Sequence, residues 1–243
     1  MKIKINQLRI VNENKIHLEL NSILGSDLNF KKLIELLQSG YIDLAFKLYK
    51  YLKLDINKTK EISIIALKLK KIDFIYKISM IEFDLLKLNS IINLVILFNE
   101  ENLLNNILKN FSNSFIKYLD QNSSFSSLAV AILNNNIHIL NILLKYPFDV
   151  NKMDERFDTP LMVAASCEDS VFVRSLIDNG SNIGIIAKDG FTPVLVALSQ
   201  LNVNYELIDY LLYNGASFIE VYNYFNNEEI ELIKSKLNFF QST

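Results

Sequence analysis

The side chains that could do chemistry in this sequence are few and far apart. The one cysteine, Cys167, could act as a nucleophile, and the two histidines, His17 and His138, could act as bases. No motif pairs the thiol with a base, and these three residues do not complete a zinc site. The acidic pairs at 154–155 and 228–229 lie at predicted turns, where carboxylates more often cap helices or face solvent. We therefore predict a protein that is not an enzyme, with no catalytic residue, metal or cofactor.

Composition and charge exclude further classes of function. The formal net charge of −2 over 243 residues predicts no general attraction to nucleic acid or to a membrane surface. The most apolar interior run, residues 90–98, is far shorter than the roughly 20 residues that span a bilayer. A single cysteine cannot form an internal disulfide, which favours a reducing, cytoplasmic location. Charges interleave with apolar residues at the N-terminus, unlike a Sec signal, so export into a host cell by a non-Sec route stays open.

A 33-residue repeat is the strongest pattern in the chain. Thr159-Pro160 and Thr192-Pro193 each open an apolar helical run, which is followed by a second apolar segment and a glycine. The threonine is a helix N-cap and the proline suits the first helical position. The same register places Ser126-Ser127-Leu128 one period upstream. Three clear repeats are predicted within residues 122–217.

Residues 27–121 follow the same plan less regularly. Apolar residues recur at helical spacing in three pairs of segments, over about 30–49, 62–78 and 94–108. Together with the clear repeats they predict an all-α solenoid of about six helix-turn-helix units. Pro147 stands where the other repeats have glycine, and proline cannot adopt positive φ. We therefore expect the helix before it to end at or before Tyr146, without a left-handed cap.

The two ends of the chain differ from the repeats. Residues 1–26 alternate polar and apolar side chains, which predicts a β-hairpin that caps the first repeat, or alternatively an edge strand for recognition. Residues 218–243 predict a C-terminal helical cap, whose helix begins after Asn226. At least one ring of Phe239-Phe240 is expected to fold back onto the last repeat.

The repeat resembles the ankyrin family. The matching residues are Asp158-Thr159-Pro160-Leu161 with Gly180, Asp189-Gly190-Phe191-Thr192-Pro193 with Gly215, and Phe148-Asp149-Val150-Asn151 between repeats. The family's usual histidine after Thr-Pro-Leu is replaced by Met162 and Leu195. The resemblance implies binding of other proteins through the tips of the turns between repeats and the concave face of the first helices.

Carried over residue by residue, the resemblance yields a candidate protein-binding surface. Phe157 stands at the family's turn glycine, so its ring either anchors a partner or packs against the adjacent tip. The tip positions are Arg156, Phe157, Asp158, Lys188, Asp189, Phe191 and Phe125, and the concave positions are Met162, Ser166, Leu195 and Ser199.

We therefore predict a non-enzymatic protein–protein interaction module with a protein partner. A monomer is favoured over an oligomer, although a self-assembling structural scaffold is an open alternative, as is an exported effector that acts on host proteins. The identity of the partner and the biological process do not follow from the residues.

Overall fold

The computed structural model describes residues 26–82, 84–154, 158–167 and 169–241. Within these ranges every regular element is helical, which confirms the predicted all-α fold. The β-hairpin predicted for residues 1–26 lies outside the described residues. The chain divides into two compact units, residues 1–78 and 79–243.

The described part of the first unit consists of two helical hairpins. Helices α1 (Ser26–Gln38) and α2 (Ile42–Leu52) form the first, and α3 (Ile56–Lys68) and α4 (Ile72–Ile81) form the second, with α4 running slightly past the boundary. Apolar residues at spacings of three and four turn inward, as the periodicity predicts. Their buried side chains include Leu33, Leu37, Ala45, Ile62 and Phe74.

The second unit is a row of helical hairpins. Its helices are α5 (Leu85–Leu97), α6 (Glu101–Lys109), α7 (Asn113–Gln121), α8 (Ser127–Leu133), α9 (Ile137–Leu143), α10 (Pro160–Ser166), α11 (Ser170–Asp178), α12 (Pro193–Leu198) and α13 (Tyr205–Tyr213). The first helices α5, α8, α10 and α12 contact one another in that order. Counting both units, six hairpins lie where six helix-turn-helix units were predicted.

The repeat boundaries follow from capping chemistry. The Thr159 and Thr192 hydroxyls accept hydrogen bonds from the backbone N–H groups of Met162 and Leu195, both at 3.3 Å. Prolines occupy the first turns of α10 and α12, as expected. Gly180, which ends one repeat, adopts a φ of +89° that a side chain would disfavour. In the preceding repeat Pro147 stands in place of this glycine. There α9 ends at Leu143 and its C-cap residue, Leu144, is right-handed, which confirms the expectation for Pro147.

The cap of the earliest clear repeat differs from the other two. Ser126 precedes α8 in the position of Thr159, but its buried hydroxyl has no hydrogen-bond partner among the described residues. Thr159→Ala should therefore lower the free energy of unfolding by about 1 kcal/mol, whereas Ser126→Ala should change it by roughly zero. Urea titration of both variants measures the difference, with an unchanged m-value as the control for two-state unfolding. Equal losses for the two variants would contradict the assignment of Thr159 as the working cap.

Side-chain amides join the third hairpin to the fourth. The Asn134 amide nitrogen donates to the carbonyl of Ile96 and to Oδ1 of Asn99, both at 3.0 Å. Asn136 donates to the same Asn99 oxygen at 2.7 Å while its own Oδ1 caps α9. The less regular hairpin α5/α6 is thus bonded directly to the first clear repeat.

The C-terminal segment packs as a continuation of the row. A 3₁₀ helix (Ile219–Asn223) leads to α14 (Asn227–Lys236), which begins with a capping box between Asn226 and Glu229, and then to α15 (Asn238–Gln241). The Phe239 ring lies 5.2 Å from that of Tyr213, measured between centroids. Phe240 contacts Phe218 at 4.9 Å, so both terminal rings fold back.

Candidate protein-binding surface

The two clearest inter-repeat tips close with the same backbone hydrogen bond. The N–H of Asp154 donates to the carbonyl of Asp158 at 3.0 Å, and the N–H of Ala187 donates to the carbonyl of Phe191 at 2.8 Å. Donors and acceptors are each 33 residues apart, so the two tips close at equivalent positions. In the first tip the Asp154 carboxylate also accepts from the N–H of Asp158 at 3.0 Å.

The second tip is supported by the C-terminal segment. Phe191 is half-buried, and its ring lies 5.3 Å from the ring of Tyr224. The Tyr224 hydroxyl donates to the carbonyl of Asp189 at 3.0 Å. Gly190 between them has a φ of +88°, and a Cβ built there would lie 2.6 Å from the Tyr224 oxygen. Tyr224, which lies outside the repeat, therefore fixes this tip. Its ring also packs against Phe191, one of the predicted site residues.

The remaining tip positions differ in how much of each side chain is available. Lys188 and Asp189 are exposed, and the Asp189 carboxylate accepts from the N–H of Phe191 at 3.2 Å. Asp158 is half-buried, whereas the ring of Phe125 is exposed. The predicted anchors Arg156 and Phe157 lie outside the described residues.

The predicted concave positions separate into two groups. Ser166 and Ser199, at the ends of α10 and α12, are exposed, and their hydroxyls donate to carbonyls of their own helices at 2.7 and 2.8 Å. Met162 and Leu195 are 1% and 2% exposed. These two are corrected to core residues, because α10 and α12 are covered by their neighbours and their apolar side chains turn inward. The surface proposed below leaves them out.

Polar contacts of Asn151 join its segment between repeats to the following one. The Asn151 carbonyl oxygen Oδ1 accepts from the N–H of Asn182 at 2.7 Å, and its amide nitrogen donates to the carbonyl of Gly180 at 3.4 Å. Because backbone groups of one segment are held by a side chain of another, the tips have a fixed relative spacing.

A buried carboxylate anchors the first of these segments. Asp120, at the end of α7, accepts from the N–H of Asp149 at 2.9 Å. Its carboxylate also lies 3.5 Å from the Lys152 ammonium, which in turn donates to the Asp120 carbonyl. Burial raises the pKa of the Asp120 carboxyl, and this outweighs the opposing effects of the Asp149 N–H and Lys152. Asp120 thus holds the segment that contains Asp149 and Lys152, although removing its carboxylate from water costs free energy.

A pair of exposed apolar side chains was not predicted as part of the surface. Met153 and Ile186 immediately precede the equivalent N–H donors of the two tips, and they are 38% and 52% exposed. One more period leads to Ile219, which is 74% exposed. Their 33-residue spacing is readable in the sequence, but only the hydrogen bonds of the tips show that the positions are equivalent.

Two of the three residues that could do chemistry lie at the surface in the described part of the chain. Cys167 and His138 are both exposed. Within the described residues, no group of three or more His, Cys, Asp or Glu could hold a metal ion. Nor does any helix in the described part of the chain have the length and apolar character needed to cross a membrane.

Comparison with known proteins agrees with the repeat geometry. Residues 127–221 match the family model for ankyrin repeats, in three copies. This range covers the three hairpins α8/α9, α10/α11 and α12/α13. Residues 127–221 are thus similar to ankyrin repeats.

Viral ankyrin proteins are among the relatives of this chain. It is 33% identical over 73 residues to ankyrin repeat domain-containing protein OPG023 of cowpox virus (strain Brighton Red) and to ankyrin repeat protein 14 of vaccinia virus (strain Western Reserve). Each match covers 30% of this chain, but only 11% of the cowpox protein and 30% of the vaccinia protein. The OPG023 protein of monkeypox virus matches at the same identity and length. The resemblance therefore concerns only a part of this chain and of those proteins.

Proposed function

We propose that this chain is a non-enzymatic protein-interaction module whose ankyrin repeats bind a protein partner. Ankyrin repeats are generally protein–protein interaction modules, and three of them match here. The observation that carries the proposal is that Lys188 and Asp189 at a tip, and Ser166 and Ser199 at the ends of first helices, are exposed on a tethered array. A rigid surface loses little conformational freedom on binding, which favours affinity.

The charges of the repeats lie outside the first helices. The first helices α8, α10 and α12 carry no charged residue. We propose that the tips supply charged contacts and the ends of the first helices supply neutral polar contacts. The relatives named above are viral proteins, which favours a host-cell protein over an endogenous one as the partner.

Site-specific photo-crosslinking tests this proposal. A photoreactive residue at Lys188 or at Ser199 should capture the same protein in the native cell, because both positions face one partner. Val171, an equally accessible position on the second helix α11, is the matched control and should capture little of it. Identical capture from all three positions, or from Val171 alone, would contradict the proposed surface.

The captured protein then allows an affinity measurement. Arg156→Ala combined with Phe157→Ala should weaken binding by about tenfold, because Arg and aromatic side chains carry much of the energy of interfaces. Circular dichroism should remain unchanged, which separates lost binding from unfolding. An unchanged affinity would remove this tip from the interface.

A further inference from the structure

Three exposed apolar side chains lie one period apart along the tips. Met153, Ile186 and Ile219, hereafter the tip ridge, are separated by 33 residues each. In the first two tips the neighbouring residue on the C-terminal side is buried, so the alternating backbone turns Met153 and Ile186 outward. Ile219 is the first residue of the 3₁₀ helix and is the most exposed of the three.

The spacing of the tip ridge is fixed by contacts beneath it. Asn151 bonds the segment of Met153 to the segment of Ile186, at 2.7 Å to the N–H of Asn182. Tyr224 bonds the segment of Ile219 to the second tip, through its hydroxyl and its ring. The three apolar side chains thus belong to one array that needs no rearrangement to receive a ligand.

The geometry of the array selects the conformation of that ligand. Packed helices are about 8–10 Å apart, so equivalent residues of successive repeats are separated by about 10 Å. Seven residues of an α-helix advance about 10.5 Å and return to nearly the same face. In a β-strand, residues on one face recur about every 6.8 Å, which does not match the ridge. A helix lying along the row therefore meets the ridge at every seventh residue.

Charge indicates the polar character of the same ligand. Residues 122–243 contain seven Lys and Arg and fourteen Asp and Glu, a net charge of −7, although the whole chain has only −2. Asp149 and Asp189 are exposed near the ridge; of the nearby cations, Lys188 is also exposed, while Lys152 is engaged by Asp120. A basic ligand is attracted to this part of the chain and an acidic one is repelled.

We infer that the tip ridge is the seat for a basic amphipathic α-helix of a partner protein, with apolar residues seven positions apart and Lys or Arg beside them. The inference rests on the proposed protein-binding function and specifies the chemistry of the partner. The helix runs along the row of repeats, with its apolar stripe on Met153, Ile186 and Ile219 and its cations over the neighbouring carboxylates.

A designed peptide tests the inference directly. The probe is a fluorescent synthetic helix of about 18 residues, with leucine at every seventh position and lysine and alanine between, which is long enough to meet three anchors. Fluorescence anisotropy with the full chain should show binding that weakens as salt increases. Two comparison peptides should bind at least about tenfold more weakly: one with leucine at every fifth position, and one with glutamate in place of lysine.

Matched protein variants locate the binding. Ile186→Ser should weaken binding of the probe by about tenfold, because it removes the central anchor. Leu201→Ser removes an apolar side chain that is even more exposed, in the turn between α12 and α13, and should leave the affinity unchanged. Both substitutions are at the surface, so circular dichroism and the urea midpoint should stay at wild-type values.

Several results would overturn the inference. These are no detectable binding of the lysine probe, equal binding of the fifth-position peptide, or equal losses for Ile186→Ser and Leu201→Ser. Self-association in sedimentation velocity that Ile186→Ser abolishes would place a second copy of this chain on the ridge instead. Photo-crosslinking from Lys188 and Ser199 is independent of the probe, so a captured partner together with a failed probe would refute the ridge alone.

Discussion

Asp120→Ala should lower the free energy of unfolding by about 3 to 5 kcal/mol, the largest effect we expect from one polar substitution in this chain. The change leaves the nearly buried Lys152 ammonium without its carboxylate partner and the N–H of Asp149 without an acceptor. Urea titration followed by circular dichroism measures the loss.

Asp120→Asn is the matched control for that substitution. The asparagine side chain keeps an oxygen that can accept from the N–H of Asp149 and lie beside the Lys152 ammonium, which the alanine methyl group cannot. Removing the negative charge also removes the cost of burying it, so we expect a loss of no more than about 1 kcal/mol. Equal losses for the alanine and asparagine variants would show that the charge, and not the acceptor, holds the segment.

The free energy of unfolding of the wild type, compared with that of Asp120→Asn, should depend on pH with a defined sign. Since burial raises the pKa of Asp120, the folded protein binds that proton more tightly than the unfolded chain does. Acidification from neutral pH through the raised pKa should therefore stabilise the wild type relative to Asp120→Asn. The relative gain is complete below the ordinary carboxyl pKa, about 3.9.

Gly190→Ala should lower the free energy of unfolding by about 3 kcal/mol. A side chain at a φ of +88° costs about 1 to 2 kcal/mol, and the new Cβ would also displace the Tyr224 hydroxyl from the carbonyl of Asp189. Gly180→Ala is the matched control, since it has the same sign of φ but nothing within 4 Å of the added Cβ. Gly180→Ala should therefore lower the free energy of unfolding only by the about 1 to 2 kcal/mol that a side chain at positive φ costs.

A second substitution separates the two contributions at Gly190. Tyr224→Phe removes the oxygen that the new Cβ would meet, so Gly190→Ala should cost about 1 to 2 kcal/mol in that background. Thermal and urea denaturation of the four combinations give the coupling between the two sites. Additive losses would contradict the steric explanation.

The repeats could be predicted from the sequence because their boundaries are set by residue types with specific backbone requirements. Thr159 and Thr192 cap helices, prolines follow them, and Gly180 and Gly215 have positive φ, all within a few residues of chain. Such local geometry depends little on distant packing. Periodicity alone also located the less regular hairpins upstream.

Helix α7 was missed although a local signal exists for it. The Ser112 hydroxyl accepts from the N–H of Phe115, and the buried residues Ile116 and Leu119 are at helical spacing. The helix lies between two hairpins and outside the 33-residue period, so the repeat register offered no place for it. Its role in presenting Asp120 depends on a contact 29 residues along the chain, which no local pattern reveals.

The candidate surface was harder to predict than the fold. The family resemblance proposed Met162 and Leu195, but exposure depends on the neighbours that cover a helix, and both are buried. Conversely, Met153 lies between Lys152 and Asp154 and Ile186 between Ile185 and Ala187, so no shared local pattern marks the two as surface residues. They are recognised as equivalent surface positions only from the hydrogen bonds that close the two tips and from the exposure of each side chain.

The closure of the tips has a consequence for how this chain can evolve. Backbone groups at Asp154, Asp158, Ala187 and Phe191 set the shape of the tips, and the outward side chains at 153 and 186 take no part in that bonding. Substitutions at these two positions can therefore accumulate with little penalty to folding. With the tip ridge as the binding surface that we infer, such substitutions would exchange one partner for another while the scaffold underneath stays the same.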